Sequence, residues 1–123
     1  MILNTLEFPT ILLVDDEPDL LSGLRNILEP AGYAVVTAAS LAAGREALQK
    51  HKVDLAIVDV NLPDGDGFDF CRETRGTGLP VLFLSVRQGM QDILKGIAAG
   101  ARDYLSKPVS RPTLLSAVNR ALA

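Results

Sequence analysis

Acidic side chains follow two short apolar runs of this chain. Asp15 and Asp16 follow the run over 11–14, and Asp59 follows the run that ends at Val58. Continuous apolar runs bounded by turn signals are typical of strands buried on both faces, so each acid should emerge where a strand leaves the core. Carboxylates in such a place can act as nucleophiles or as ligands of a hard cation.

Two further polar residues stand at comparable places. Ser85 closes the run over 81–84, and Lys107 follows the segment 103–106. If the strands are parallel, their carboxyl ends share one edge, which then gathers three acids, a hydroxyl and an ammonium. Two carboxylates about 4 Å apart repel by roughly 4 kcal/mol at an effective dielectric near 20. Without a metal, neighbouring charges should therefore raise the pKa of at least one acid, and Lys107 should offset part of the repulsion.

Five short strands alternating with five helices are needed to position these residues. The alternation implies right-handed crossovers and a parallel sheet with helices on both faces, and in such sheets ligands bind outside the carboxyl ends of the strands. The strands are predicted at 11–14, 33–37, 53–58, 81–84 and 103–106. The helices are predicted after Pro18, from Ser40 to about Lys50, around Phe68 and Cys71, over 88–99, and through Leu114 to Leu122.

Several residues predict where these helices begin and end. Ser40 suits an N-cap, and Gly32 can close the first helix in a left-handed cap. The fourth helix is expected to contain Gly89 and Gly96. An interior glycine costs about 1 kcal/mol relative to alanine, so this helix should be the weakest of the five.

Length and composition indicate one soluble globular domain. The chain has 123 residues, of which 48% are hydrophobic and 22% charged, and its net charge is -3, which argues against direct nucleic-acid binding. A single cysteine suits a reducing compartment. No apolar run approaches the roughly 20 residues of a membrane span, and the N-terminus lacks the features of a signal peptide. We expect a cytoplasmic protein that does not bind membranes, with an N-terminal extension over 1–9 and one domain over 10–123.

Four motifs in chain order resemble the receiver domain of two-component response regulators, in particular CheY-like receivers. They are LVDDEP at 13–18, VDVNLPDGDG at 58–67, LS at 84–85 and GARDYLSKP at 100–108. The resemblance extends from about Thr10 to the end of the chain. It implies an α/β fold of the flavodoxin-like (βα)5 type, a doubly wound sandwich whose five-stranded parallel sheet has the order 2-1-3-4-5.

The resemblance also implies a chemistry for the acids. Asp59 would be the phosphoacceptor, taking a phosphoryl group from a phosphohistidine of a sensor histidine kinase or a histidine phosphotransfer protein. Such a domain catalyses only its own phosphorylation and dephosphorylation and is not otherwise an enzyme. Mg²⁺ would be bound directly by Asp16, Asp59 and the backbone carbonyl of Asn61, with Asp15 acting through water.

The remaining motif residues resemble a switch. Lys107 would stabilise the charge of the phosphoryl group, the Ser85 hydroxyl would turn towards a phosphoryl oxygen, and Tyr104 would move inward. The face formed by the fourth helix, fifth strand and fifth helix would then contact an output domain, a target protein, or a second copy in a phosphorylation-dependent homodimer.

Two residues depart from the commonest receiver pattern. Val86 follows Ser85 where a small residue is frequent, so access to the phosphoryl group should be narrower and its hydrolysis slower. Val109 replaces a frequent aromatic residue after Lys107-Pro108, with no clear consequence. The resemblance suggests a cis peptide bond before Pro108, which is a minority form in general.

Two other functions remain open on the sequence alone. A magnesium-dependent phosphatase also places acids at strand ends, but it usually needs a second acid two residues after its nucleophile, where this chain has Asn61. A receiver-like interaction module that works without phosphorylation is the other alternative. The presence of Asp16, Asp59, Ser85 and Lys107 argues against it.

Overall fold

A five-stranded parallel sheet is the centre of the computed structural model, which describes residues 8–123. In chain order the elements are β1 (Thr10–Val14), α1 (Pro18–Leu28), β2 (Ala34–Ala38), α2 (Leu41–Lys50), β3 (Leu55–Val58), β4 (Asn61–Leu62), β5 (Gly65–Asp66), α3 (Gly67–Arg75), β6 (Val81–Ser85), α4 (Met90–Ala99), β7 (Asp103–Ser106) and α5 (Arg111–Leu122). The sheet has the order β2-β1-β3-β6-β7. With the five sheet strands counted in sequence, this is the predicted order 2-1-3-4-5, and the predicted fold class is confirmed.

The register of the sheet brings the strand-end residues side by side. Val14 of β1 is paired with Val58 of β3, so Asp15 and Asp59 leave neighbouring strands at the same level. The backbone N–H of Asp59 donates to the carbonyl of Val14 at 2.9 Å. On the other side, the N–H of Lys107 donates to the carbonyl of Ser85 at 3.0 Å. The backbone alone thus places all four functional groups at one edge.

Alternate residues of each strand face opposite layers of helices, as the two-residue period of a strand requires. Ile11 and Leu13 contribute to a core with α1 and α5, which includes Leu28 and Leu114. Leu12 contributes to a second core with α2, α3 and α4, which includes the following residues: Leu41, Phe68, Phe70 and Ala99. The central strands are buried on both faces, which explains why their sequences are apolar without alternation.

The helix boundaries agree with the sequence at some residues and differ at others. Ser40 is the N-cap of α2, and its side chain accepts a hydrogen bond from the N–H of Ala43. The left-handed cap predicted at Gly32 is confirmed: the α-helical part of α1 ends at Leu28, one tighter turn follows, and Gly32 has φ 101°. The N–H of Gly32 donates to the carbonyl of Glu29 and that of Tyr33 to the carbonyl of Leu28, which is the hydrogen-bond pair of a Schellman motif. Gly89 is the N-cap of α4 and not an interior residue, so one of the two predicted helix-weakening glycines is absent from the helix.

A hairpin formed by the two-residue strands β4 and β5 was not predicted from the sequence. It pairs Asn61 with Asp66 and Leu62 with Gly65, directly after Asp59. The peptide bond between Lys107 and Pro108 is cis, as the resemblance suggested. The expected extension over 1–9 falls outside the described residues except at positions 8 and 9. Within the described part of the chain, no helix has the length and apolarity needed to span a membrane.

Candidate functional site

Two aspartates and a lysine form the centre of the candidate site. Asp15 and Asp59 are the residues directly after β1 and β3, and both are buried, with 4% and 7% of their surfaces exposed. The ammonium of Lys107, directly after β7, lies 2.8 Å from Asp15 Oδ2 and 3.0 Å from Asp59 Oδ2. The sequence predicted that these three residues would meet, and the structure brings them into direct contact.

A third carboxylate, that of Glu17, belongs to the same cluster and was missed from the sequence. Its Oε1 lies 2.8 Å from Lys107 Nζ, and carboxylate oxygens of Asp15, Glu17 and Asp59 lie within 4.8 Å of one another. Asp16, which the resemblance named as a metal ligand, is exposed and is not part of this cluster. The available signal was that Glu17 is the third consecutive acid after β1.

The ionisable groups of the site shift one another's protonation. Burial raises the pKa of Asp15, while hydrogen bonds from Lys107 and from the N–H of Glu17 partly offset the increase. The sequence predicted a raised acid pKa but attributed it to neighbouring charges, whereas the charge of Asp59 is the smaller cause. Burial by itself would lower the pKa of Lys107, but its hydrogen bonds to the three carboxylates outweigh burial and raise the pKa. Lys107 is therefore a permanent cation at neutral pH.

The two predicted switch residues both contact the backbone of Arg87. Ser85, the last residue of β6, is fully buried, and its Oγ accepts a hydrogen bond from the N–H of Arg87 at 3.1 Å. Tyr104 of β7 is half-buried, with its ring 5.9 Å from that of Phe83 and its hydroxyl donating to the carbonyl of Arg87. Burial raises the pKa of Tyr104, so this hydroxyl stays a donor at neutral pH.

Arg87 itself was not singled out from the sequence. Its guanidinium donates to Asn61 Oδ1 at 3.0 Å, pairs with Asp92 in the first turn of α4, and lies over the ring of Phe68. Asn61 is exposed, and its backbone N–H donates a long hydrogen bond to Asp59 Oδ1 at 3.4 Å. A basic residue two positions after the strand-end Ser85 was the only sequence signal for this bridge.

Close backbone packing fixes the loop that carries Asp59. A Cβ on Gly67 would lie 2.3 Å from the carbonyl oxygen of Asp59, so only glycine allows α3 to begin there. The N–H of Gly67 donates to the carbonyl of Val60 at 2.8 Å. Farther along the loop, Asp64 accepts hydrogen bonds from the N–H groups of Leu41 and Ala42, each at 2.9 Å.

The arrangement suits a small hard cation and an anionic ligand together. Clustered carboxylate oxygens are the donors that Mg²⁺ prefers, and the three acids outnumber the single ammonium that faces them. A nucleophilic carboxylate beside a fixed positive charge can react with a phosphoryl group. The fold and the site thus point to the same chemistry as the sequence motifs.

Comparison with known protein families decides the membership of the chain. Residues 11–119 match the family model described as the response regulator receiver domain. The chain belongs to this family. Receiver domains are signalling modules of two-component systems, so the chain is a phosphorelay signalling domain.

Curated relatives of this receiver domain are transcriptional regulatory proteins. KdpE of Mycobacterium tuberculosis is 37% identical over 113 residues, which cover 91% of this chain and 50% of that protein. YxdJ of Bacillus subtilis is 36% identical over 109 residues, covering 88% of this chain and 48% of that protein. The receiver domain described here therefore spans about half the length of the curated relatives it matches.

Solved receiver structures share its fold closely. The chemotaxis protein CheY4 of Vibrio cholerae is 32% identical, with a TM-score of 0.88. The superposition covers 94% of this chain and 100% of the other. A putative response regulator of Chloroflexus aurantiacus is 34% identical, with a TM-score of 0.89 over 94% of this chain and 98% of the other. The similarity includes nearly the whole chain.

Proposed function

We propose that this receiver domain, over residues 10–123, accepts a phosphoryl group on Asp59 from a phosphohistidine of a sensor histidine kinase or a histidine phosphotransfer protein. The observation that carries the proposal is the position of Asp59: a buried carboxylate at a strand end, 3.0 Å from a lysine ammonium and beside Asp15. An isolated buried carboxylate would be costly. Its placement beside a fixed cation prepares it for an anionic partner.

The reaction exchanges one phosphorus bond for another. A carboxylate oxygen of Asp59 attacks the phosphorus, the phosphorus–nitrogen bond breaks, and its electron pair returns to the imidazole of the donor. The product is an acyl phosphate, which water later hydrolyses back to carboxylate and phosphate. Lys107 lies close enough to Asp59 to hold a phosphoryl oxygen in place and to stabilise the charge that develops there.

The acids of the site would hold Mg²⁺. Carboxylate and carbonyl oxygens make up the candidate ligand set, which is Asp15, Asp16, Glu17, Asp59 and the backbone carbonyl of Asn61. When bound, the cation supplies positive charge that offsets the repulsion between an anionic nucleophile and an anionic phosphoryl group. Calorimetric titration with Mg²⁺ of the Asp16→Asn and Glu17→Gln variants shows which of the two residues is a direct ligand. The loss of a direct ligand should weaken Mg²⁺ binding far more than the loss of a residue that does not coordinate the metal.

The phosphorylated state would be transmitted through Ser85 and Tyr104 to the face of α4, β7 and α5. Met90, Leu94 and Ile97 of α4 are exposed apolar residues, with 69%, 55% and 61% of their surfaces exposed, and exposed apolar patches often mark contact sites. This face would contact an output domain, a target protein or a second copy after phosphorylation. The described domain would not itself bind nucleic acid, and it would act in the cytoplasm, where its single buried cysteine stays reduced.

Incubation with acetyl phosphate, with and without Mg²⁺, tests the proposed acceptor. Wild type should gain the mass of one phosphoryl group on the peptide that contains Asp59, and the gain should require the metal. Asp59→Asn should gain nothing, whereas Asp69→Asn, which changes an exposed aspartate of α3, should behave as wild type. Turnover of external phosphomonoesters would instead indicate a phosphatase, and absence of modification would indicate an interaction module independent of phosphorylation.

A further inference from the structure

Arg87 connects the phosphoacceptor loop, both switch residues and α4. Its N–H and carbonyl are bound by Ser85 and Tyr104, respectively. Its guanidinium bridges Asn61, two residues after Asp59, and Asp92 in the first turn of α4. Among the described residues, no other residue is hydrogen-bonded to all of these parts through its backbone and side chain together.

The first turn of α4 has few other attachments to the site edge. Its N-cap is Gly89, which provides no side-chain hydrogen bond, and the buried residues of the helix, Gly96 and Ala99, lie in its second half. The Arg87–Asp92 pair is partly shielded from water, with 35% and 19% of the two side chains exposed. A charged hydrogen bond in such surroundings is stronger than a neutral one, so it is well placed to fasten this turn.

Phosphorylation would present Arg87 with a better partner. Its present partner on the site side is the neutral amide oxygen of Asn61, whereas a phosphoryl group on Asp59 offers several anionic oxygens. Guanidinium groups bind phosphate in a bidentate manner and more strongly than they bind neutral acceptors. If the Ser85 hydroxyl turns to the phosphoryl group, the N–H of Arg87 also loses its acceptor, which removes one of the two hydrogen bonds that Ser85 and Tyr104 make to its backbone.

We propose that Arg87 acts as a latch, in the following sense. In the unphosphorylated domain its ion pair with Asp92 holds the first turn of α4. After phosphorylation its guanidinium leaves Asp92 and binds the phosphoryl group on Asp59. The inference rests on the proposed function, because it needs Asp59 to carry the phosphoryl group. Arg87 is here a positioning residue whose two anionic partners compete. Competition has a thermodynamic consequence: whatever weakens the Asp92 contact must strengthen phosphoryl binding, since coupling between two sites is reciprocal.

The decisive experiment measures the affinity for beryllofluoride, a phosphoryl mimic, in the presence of Mg²⁺. Asp92→Asn should bind the mimic about fivefold more tightly than wild type, and Arg87→Gln should bind it several-fold more weakly. In the Arg87→Gln background, Asp92→Asn should have no further effect, as a double-mutant cycle requires for a shared interaction. A merely structural role for the pair predicts the opposite sign for Asp92→Asn.

Amide exchange supplies a second readout that is independent of affinity. In the absence of the mimic, Asp92→Asn should speed exchange in the first turn of α4, and in wild type the mimic should do the same. In Arg87→Gln this turn should exchange rapidly with or without the mimic. The pair Asp69–Arg72 on α3, which is more exposed, provides controls of the same residue types, since Asp69→Asn and Arg72→Gln should change neither measurement.

The outcomes separate the latch from the proposed function. If wild type binds beryllofluoride and Asp59→Asn does not, the proposed acceptor stands, and an unchanged or weaker affinity in Asp92→Asn overturns the latch alone. If wild type does not bind the mimic, the proposed acceptor is overturned and the latch with it.

Discussion

Lys107 carries the charge balance of the site, because one ammonium faces three carboxylates. The side chain of Lys107 is 10% exposed and that of its partner Asp15 is 5% exposed, so water screens this contact only weakly. Removal of one partner from a shielded ion pair leaves the other charge without compensation. The stability of the domain and the chemistry of Asp59 therefore depend on the same residue.

We predict that Lys107→Met lowers the free energy of unfolding by about 2 kcal/mol without Mg²⁺, somewhat less than for a fully buried pair because the site opens to solvent. Added Mg²⁺ should recover part of the loss, since a ligand that binds only the folded state stabilises it. Urea unfolding with and without the metal measures both effects. Lys52→Met, at an exposed loop lysine, is the control, and equal stability of the two variants would contradict the charge balance.

Val86 permits a test of access to the phosphoryl group. Its side chain is exposed, at 68%, although it directly follows the buried Ser85. We predict that Val86→Ala increases the rate of autodephosphorylation severalfold, because less bulk would impede the approaching water, while stability changes by less than about 0.5 kcal/mol. Phosphoryl release followed over time measures the rate, and an unchanged rate would show that the side chain does not limit access.

At the scale of elements, Gly67 determines how α3 begins beside Asp59. A Cβ there would overlap the carbonyl oxygen of Asp59, and backbone cannot yield as a flexible side chain can. We predict that Gly67→Ala destabilises the domain by about 1–3 kcal/mol, the usual cost of overpacking, and slows phosphorylation by displacing Asp59. Chemical unfolding and the acetyl phosphate reaction measure the two effects.

Gly23 gives a matched control for that substitution. It lies within α1, and a Cβ there would meet nothing within 4 Å. Gly23→Ala should stabilise the domain by up to about 1 kcal/mol through helix propensity and leave phosphorylation unchanged. If both variants behaved alike, the close approach at Gly67 would not be the cause.

Asp64 ties the loop after Asp59 to the first turn of α2. Hydrogen bonds from the N–H groups of Ala42 and Leu41 lower the pKa of Asp64 below its ordinary value of 3.8. A lowered pKa means that the stabilisation is present above that ordinary value and is lost as pH falls through the folded-state pKa.

We predict that Asp64→Asn is less stable than wild type at about pH 6 and that the difference shrinks towards about pH 3. Urea unfolding at several pH values measures it, with Asp69→Asn as the control for loss of an exposed aspartate. A difference that stays constant with pH would show that the charge of Asp64 does not anchor the loop.

The sequence predicted most of the elements but not all their ends. The long helices and buried strands were recognisable because their apolar residues recur over many positions. The β4–β5 hairpin was missed because two-residue strands have no period to detect. The start of α4 was predicted too early, because Gly89 is the N-cap and the helix begins at Met90, whereas the left-handed cap at Gly32 was predicted correctly.

The site was predictable where the backbone places it. Asp15, Asp59, Ser85 and Lys107 follow directly from strand ends and parallel register. Glu17 and Arg87 were not predicted, because their long side chains reach the site through rotamers that the sequence does not specify. The sequence thus predicted the fold of the site but not which long side chains extend into it.

For the molecule as a whole, the helices differ in how firmly they are attached. Leu24 and Leu28 anchor α1, and α5 buries residues over several turns. The buried residues of α4 are Gly96 and Ala99, and a Cβ on Gly96 would lie 3.0 Å from Tyr104 and 3.2 Å from Phe83. Gly96 thus lets α4 approach β6 and β7 closely while contributing little apolar area of its own.

Because buried apolar area supplies most of the stability of a helix in a protein, we predict that α4 opens more readily than α1. Native-state amide exchange should show lower protection in α4, by about tenfold or more, while the amides of β1 and β3 exchange most slowly. The low stability predicted for α4 does not require Gly89 to lie inside the helix, since the small buried apolar area of α4 also predicts it. Equal protection of α1 and α4 would contradict the prediction that α4 opens more readily. The α4 face would then respond to phosphorylation by moving as a rigid helix rather than through local opening.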